Sequence, residues 1–217
     1  DMLTIWFIRH AQSQANAGEK TVNPAAIALT PIGHKQAVHV AEVFKQAPDL
    51  VISSPYLRAQ QTAEYVLQRY PDARHEIWPV HEFTYLALER CRDTTVQERL
   101  PMAEEYWKRN DPDYKDGEGA ESFVDFMGRA AATWQRLQSE KCFRDVVIFT
   151  HAQFIKAAIW HGLHAGEHLT AKGMRRFRHF LYSFPFPNGA IVRTRLDPAF
   201  WTGAVDTSHI PVPLRTE

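Results

Sequence analysis

Three short runs constrain this chain most: Thr4-Ile5-Trp6-Phe7-Ile8, Leu50-Val51-Ile52 and Val146-Val147-Ile148-Phe149. Each is almost uninterrupted in apolar side chains. A strand with one face in water alternates polar and apolar residues, and these do not. Such runs suit strands buried on both faces, the condition of a mostly parallel sheet covered by helices. Ala190 to Leu196 does alternate, setting Ile191, Arg193 and Arg195 against Val192, Thr194 and Leu196. It reads as an edge or half-exposed strand.

Helical spacing fills the intervals. Ala37, Val40, Ala41 and Phe44 form one stripe, with Thr30 as its N-cap and Pro31 at the first helical position. Ala59, Ala63, Val66, Leu67 and Tyr70 form a second, opened by Ser54-Pro55. Ser122 with Asp125 three residues on has the form of a capping box, followed by Val124, Met127, Ala131, Trp134 and Leu137 on one face. Phe154, Ile155, Ala158 and Ile159 make a shorter helix ending near Gly162. Between about residues 82 and 120 the periodicity loosens. The expected fold is therefore α/β: a single domain over residues 1–217, with a mostly parallel central sheet flanked by helices on both faces. A small cap-like excursion over the sheet is expected near residues 82–120.

A chain of 217 residues buries a sizeable core without disulfide staples, and 45% hydrophobic with 23% charged residues excludes a disordered or fibrous chain. Lys plus Arg and Asp plus Glu both number 25, so no global basic field marks a nucleic-acid partner. No apolar run is long enough to span a membrane. Arg9 and His10 arrive too early for a secretory signal peptide. Cys91 and Cys142 stand alone and read as reduced thiols, so a cytoplasmic setting is expected.

Chemistry collects where the apolar runs end. The first run leads into Arg9-His10, the second into Ser53-Ser54-Pro55 with Arg58 a turn later, and the third into Thr150-His151. In open α/β sheets ligands bind beyond the carboxyl ends of the strands. If the strands are parallel, two guanidiniums and two imidazoles converge on one edge. Phosphate suits such a donor-rich pocket, and helix N-termini add backbone N–H groups. Neighbouring arginines disfavour the imidazolium, and a neutral imidazole is a nucleophile able to take a phosphoryl group.

At these residues the chain resembles the histidine phosphatase superfamily, also called phosphoglycerate mutase-like. The resemblance is carried by four ordered blocks: Ile8-Arg9-His10-Ala11-Gln12-Ser13-Gln14-Ala15-Asn16; Leu29-Thr30-Pro31-Ile32-Gly33-His34-Lys35-Gln36-Ala37; Ser53-Ser54-Pro55-Tyr56-Leu57-Arg58-Ala59-Gln60-Gln61-Thr62-Ala63; and Phe149-Thr150-His151-Ala152. It covers roughly residues 3 to 196.

The resemblance implies that His10 attacks phosphorus and becomes phosphohistidine. Arg9, Arg58 and His151 would hold the transferring oxygens. Ser13 and Asn16 fall on phosphate-contacting positions, and backbone N–H groups near Ala152 and Gln153 would help. Neither metal nor cofactor is needed, since the arginines supply the positive charge, and the partner is a small phosphorylated substrate. The family's acid comes from a carboxylate after its third strand. Glu82, in His81-Glu82-Phe83 beyond the Glu76-to-Val80 run, is the candidate; Glu89 is its rival, and Glu121 reads as a helix opener.

The expected activity is hydrolysis of a phosphomonoester. A cofactor-dependent phosphoglycerate mutase is the alternative, with Arg90, Arg92 and Arg99 as loose imitators of its extra basic residues; a non-catalytic phospho-ligand module is another. Ala11 and Ala152 replace the family's usual glycines, so a narrowed pocket or a strained backbone is expected there if either position needs positive φ. Tyr85, Tyr106 and Trp107 either stack on a leaving group or pack the cap.

Other signals carry less. His161, His164 and His168 share a helical spacing, but Gly162 and Gly166 interrupt that helix, and no metal site is expected. Lys172, Arg175, Arg176 and Arg178 read as a solvated helix face, not as a surface for nucleic acid or membrane. Neither a Walker loop nor a G-x-S-x-G elbow is present.

Overall fold

The computed structural model describes residues 2–140, 142–165, 167, 169–196 and 199–217. Four parallel strands, β1 (Thr4–Arg9), β2 (Leu50–Ser53), β3 (Arg74–Ile77) and β4 (Asp145–Thr150), are extended by antiparallel β5 (Ile191–Arg195) and β6 (Trp201–Thr202). The sheet order is β3-β2-β4-β1-β5-β6. The helices are α1 (Pro31–Glu42), α2 (Leu57–Arg69), α3 (Leu88–Cys91), α4 (Val96–Arg109), α5 (Phe123–Ser139), α6 (Ala152–Leu163) and α7 (Ala171–Tyr182). None of the described helices is long and apolar enough to cross a membrane.

The unbroken apolar runs do serve two faces. Ile5, Phe7, Leu50, Ile52, Val146 and Ile148 pack into a core shared with α5, α6 and α7. Ile8, Val51, Val147 and Phe149 point the other way, against Val40, Ala41, Ala63 and Val66 of α1 and α2. Period-two geometry sends successive side chains to opposite sides, so only a run apolar throughout fills both layers.

Helix starts follow local chemistry. Thr30 Oγ1 accepts the Gly33 N–H at 3.0 Å ahead of Pro31, and Ser122 and Asp125 exchange both bonds of a capping box. Of the two readings for Ile191–Arg195 the half-exposed strand holds and the edge does not, because β6 pairs outside it while Arg193 stays exposed. Two expectations are corrected. In α5 the buried face runs through Phe123, Phe126, Met127, Ala130, Trp134 and Leu137, leaving Val124 and Ala131 half-buried beside it. Ser54-Pro55 does not open α2; Tyr56 is its N-cap, and Ser54 Oγ accepts the Tyr56 N–H instead.

The stretch at 82–120 is helical in part. Thr95 and Glu98 form a capping box at the start of α4. The loop after β1 meets this cap through an antiparallel bridge between Thr21 and Thr94.

Candidate active site

The carboxyl ends of β1, β2 and β4 lie side by side, so Arg9-His10, Ser53-Ser54 and Thr150-His151 meet at one edge. His10 follows β1 directly, its N–H held by Thr150 O at 2.9 Å. Its ring is buried, and two contacts set its protonation. Nδ1 lies 2.7 Å from Ala11 O, which can only accept, so Nδ1 carries the proton. The Arg58 Nε–H donates to Nε2 at 3.2 Å, which requires a lone pair there. Both contacts demand the same tautomer, with the proton on Nδ1 and the lone pair on Nε2. Burial first, then the charges of Arg58 and Arg9, hold the His10 pKa well below the usual histidine range.

Arg58 sits in the first turn of α2, buried, with Nη1 on Pro24 O at 2.6 Å and its guanidinium over the Tyr56 ring. Arg9 Nη1 donates to Phe186 O at 2.6 Å. Burial lowers both arginines to about 10. No carboxylate pairs with either at ion-pair distance among the described residues, so both charges are only partly offset. His151 lies 5.0 Å from the His10 ring, centroid to centroid, with Nε2 2.8 Å from Ser54 Oγ. Burial, then Arg58, keeps it neutral too. Arg9 Nε and His151 Nδ1 are buried without a protein partner. Buried polar nitrogens are normally satisfied, so an anion on this floor would complete them.

Asn16 is oriented with unusual redundancy. Its Oδ1 accepts from Ser13 Oγ (2.9 Å), Ser13 N (3.1 Å) and Asn188 Nδ2 (3.1 Å). Its NH2 is thereby the end left for a ligand. Asn188 also donates to His10 O at 3.3 Å and is itself held by Thr216. Sequence reasoning missed Asn188; the only signal was the Pro-Asn-Gly turn before β5. Gly189 there has φ +71° and donates to the Arg9 and His10 carbonyls, a conformation that suits glycine.

Glu82 hangs from a segment stitched to the sheet: Trp78 N bonds Ser53 O at 3.1 Å, and Thr150 Oγ1 bonds Val80 O. Its carboxylate accepts the N–H groups of Phe83 (3.0 Å) and Gln153 (3.3 Å), the latter in the first turn of α6. Burial raises its pKa, against those two bonds and the charges of Arg58 and Arg9. The rival Glu89 is exposed on α3 and lines no part of the cavity.

Glu121 does precede a helix, but it does more. With Arg129 it forms a bidentate pair (2.9 and 2.6 Å), while Arg129 Nη1 reaches Pro79 O and His81 O at 2.8 and 2.9 Å. Glu121 also accepts Thr84 N and donates its own N–H to Thr84 O. Together they clamp residues 79–84 around Glu82.

A cavity of about 360 Å³ opens above this edge, touched by Arg9, Asn16, Glu82, Ala152 and Gln153 at one end and by the 82–120 cap at the other. Tyr85 lines it, whereas Tyr106 and Trp107 are buried in the core with Phe83 and Phe126 and serve cap packing. Of the three basic candidates only Arg99 lines the cavity; Arg90 is paired with Asp116 and Glu105, and Arg92 points to solvent. Neither alanine is strained, since the only described non-glycine residues with positive φ are Asp93 and Asn110. The Ala11 methyl packs against Leu29 and Ala37, away from the cavity; Ala152 lines it. His161 and His164 belong to the end of α6, where His164 stacks on Trp160 at 3.8 Å; His168 and Gly166 lie outside the described residues.

The sequence profile of the histidine phosphatase superfamily (branch 1) matches residues 5–199. PhoE of Bacillus subtilis (strain 168), an uncharacterized phosphatase, is 26% identical over 165 residues, covering 73% of this chain and 76% of that protein. Among solved structures, a phosphoserine phosphatase variant of Entamoeba histolytica in complex with phosphoserine superposes with a TM-score of 0.73 at 19% identity, covering 97% of this chain and all of that one. The α-ribazole phosphatase of Shigella flexneri gives 0.71 at 22%, covering 95% and 97%. Fold, strand-end motifs and profile agree, and the chain belongs to the histidine phosphatase superfamily, branch 1.

Proposed function

We propose that this protein hydrolyses phosphomonoesters through a phosphohistidine on His10. The observation that carries the reading is the His10 tautomer: Nδ1 is tied to its neighbour's carbonyl and Nε2 faces Arg58, so a buried neutral imidazole is set to attack. Nε2 forms a bond to phosphorus as the bond to the leaving oxygen breaks. Arg9, Arg58, His151 and the Asn16 amide hold the three peripheral oxygens, with Ser13 fixing Asn16 and the first N–H groups of α6, at Ala152 and Gln153, adding to the field. Glu82, whose protonated form burial favours, gives its proton to the leaving oxygen. Its carboxylate then takes a proton from water as water attacks phosphorus and the P–N bond breaks, which restores neutral His10.

Positive charge comes from side chains, so turnover is expected to survive a chelator. A hydrolase is favoured over a mutase because Arg90 is already neutralised by acids and Arg92 lies outside the cavity, leaving too few free cations to retain a bisphosphate. The phosphatase names of the relatives agree with this reading.

The test is release of para-nitrophenol from its phosphate ester with chelator present, beside His10→Ala. Turnover lost in the variant, together with loss of a base-stable phosphoryl label on the wild-type chain, is the expected outcome. A His10→Ala protein of undiminished activity would sink the assignment.

A further inference from the structure

The end of the cavity away from the phosphate floor has a different chemistry. Its walls are mostly apolar, Pro24, Ile27, Phe83, Leu86 and Ala103 with the Tyr56 and Tyr85 rings, and Thr21, Thr84 and Cys91 stand among them. Its outer lining includes Val22, Leu88, Val96 and Leu100, which remain 54, 45, 44 and 44% exposed. Single exposed aliphatics mean little, but four bordering one cavity form a contiguous apolar rim, and such patches mark binding surfaces. They come from three separate elements: the loop after β1, α3, and the first two turns of α4. The bridge between Thr21 and Thr94 holds the first of these against the cap. Arg99 is the only cation α4 contributes here, and its Nη1 is turned onto the carbonyl and hydroxyl of Thr94 at 3.0 and 2.8 Å.

A polyol or amino-acid ester placed here would bury hydroxyl or ammonium groups against aliphatic walls that offer them few partners, which costs binding. We infer that the leaving group is apolar: a phosphomonoester of an alkyl or aryl alcohol long enough to run from the floor to the Val22–Leu88–Val96–Leu100 rim. The inference rests on the reading of the cavity end at Arg9 and Asn16, beside buried His10 and His151, as a phosphate site.

The test is calorimetric binding of inorganic phosphate and of ethyl, butyl, hexyl and octyl phosphonate, which cannot be hydrolysed, to the whole chain. Each methylene that leaves water is expected to tighten binding about fourfold, from the transfer value of a buried methylene. A heat-capacity change growing more negative along the series is the expected signature of apolar burial. In Leu100→Asn and in Val96→Ser the octyl-to-ethyl affinity ratio falls severalfold; both side chains are substantially exposed, so neither substitution opens a core cavity.

Affinity independent of chain length with phosphate still bound would overturn the inference and leave the phosphatase reading standing. So would tighter binding of a hydroxylated phosphonate than of its alkyl counterpart of equal length. Failure of phosphate and every phosphonate to bind would overturn the reading beneath it.

Discussion

At the residue scale the site is a pair of opposed protonation states. The proposed mechanism requires His10 neutral and Glu82 protonated, and burial pushes each pKa in the needed direction. For an alkyl phosphate, kcat/KM is expected to hold far into the acid range, because His10 resists protonation. It then falls as pH rises through the elevated Glu82 pKa, where the acid is lost. Glu82→Gln should remove that basic limb and lower kcat for alkyl esters by about 10²–10⁴-fold. Para-nitrophenyl phosphate should suffer much less, since its leaving group needs no proton. An equal loss on both esters would contradict the role. Much of this was legible in the sequence: Arg9, His10, Arg58 and His151 were placed by their strand ends, and Glu82 only by its distance beyond the third block. Asn188 and Arg129 were not legible, because what makes them matter is hydrogen bonding to loops 172 residues and up to 50 residues away.

Elements hold these residues through a few tight contacts. Gly33, in the first turn of α1, lies so close to the first motif that a Cβ there would sit 2.1 Å from Gln12 O. Backbone cannot yield cheaply, so Gly33→Ala should destabilise by about 1–3 kcal/mol and reduce kcat by dragging residues 10–13; urea unfolding and turnover measured together would check it. The Glu121–Arg129 pair does similar work on the opposite side. Arg129→Gln leaves a half-buried carboxylate and the carbonyls of Pro79, His81 and Glu82 short of donors, an expected loss of about 3 kcal/mol. Its basic pH limb should also move, which a purely structural defect would leave in place. Elements resisted sequence reading for identifiable reasons. β3 carries three polar residues and is exposed at Arg74, His75 and Ile77 because it is an outer strand, paired among the described residues with β2 alone. In α4, Pro101 stands inside the helix as a residue that usually signals a break, and the apolar residues split between the cavity (Val96, Leu100) and the core (Tyr106, Trp107), so no single stripe stands out. β6 is two residues long.

The whole molecule carries a cost for the site. His10 and His151 are refused protons by the fold, whereas in the unfolded chain they would titrate near 6.5. Their folded values lie lower, so the unfolded state binds more protons as pH drops below that point. Stability is therefore lost toward acid, by up to about 1.4 kcal/mol per pH unit for each ring. Urea unfolding from pH 7.5 to 5 should show this slope, and His10→Gln should lessen it; a slope unchanged in that variant would count against a neutral buried His10. One consequence of the strand order concerns synthesis. β1, which leads into His10, lies between β4 and β5, and Ile8 pairs with Phe149 and Ile191. On the ribosome β1 emerges long before either neighbour. At about 5–20 residues per second, its apolar edges wait on the order of 10 s or more for β4. His10 thus follows the first of these six strands to be made and gains its surroundings from strands made much later, and the exposed apolar faces of β1 favour aggregation during that interval.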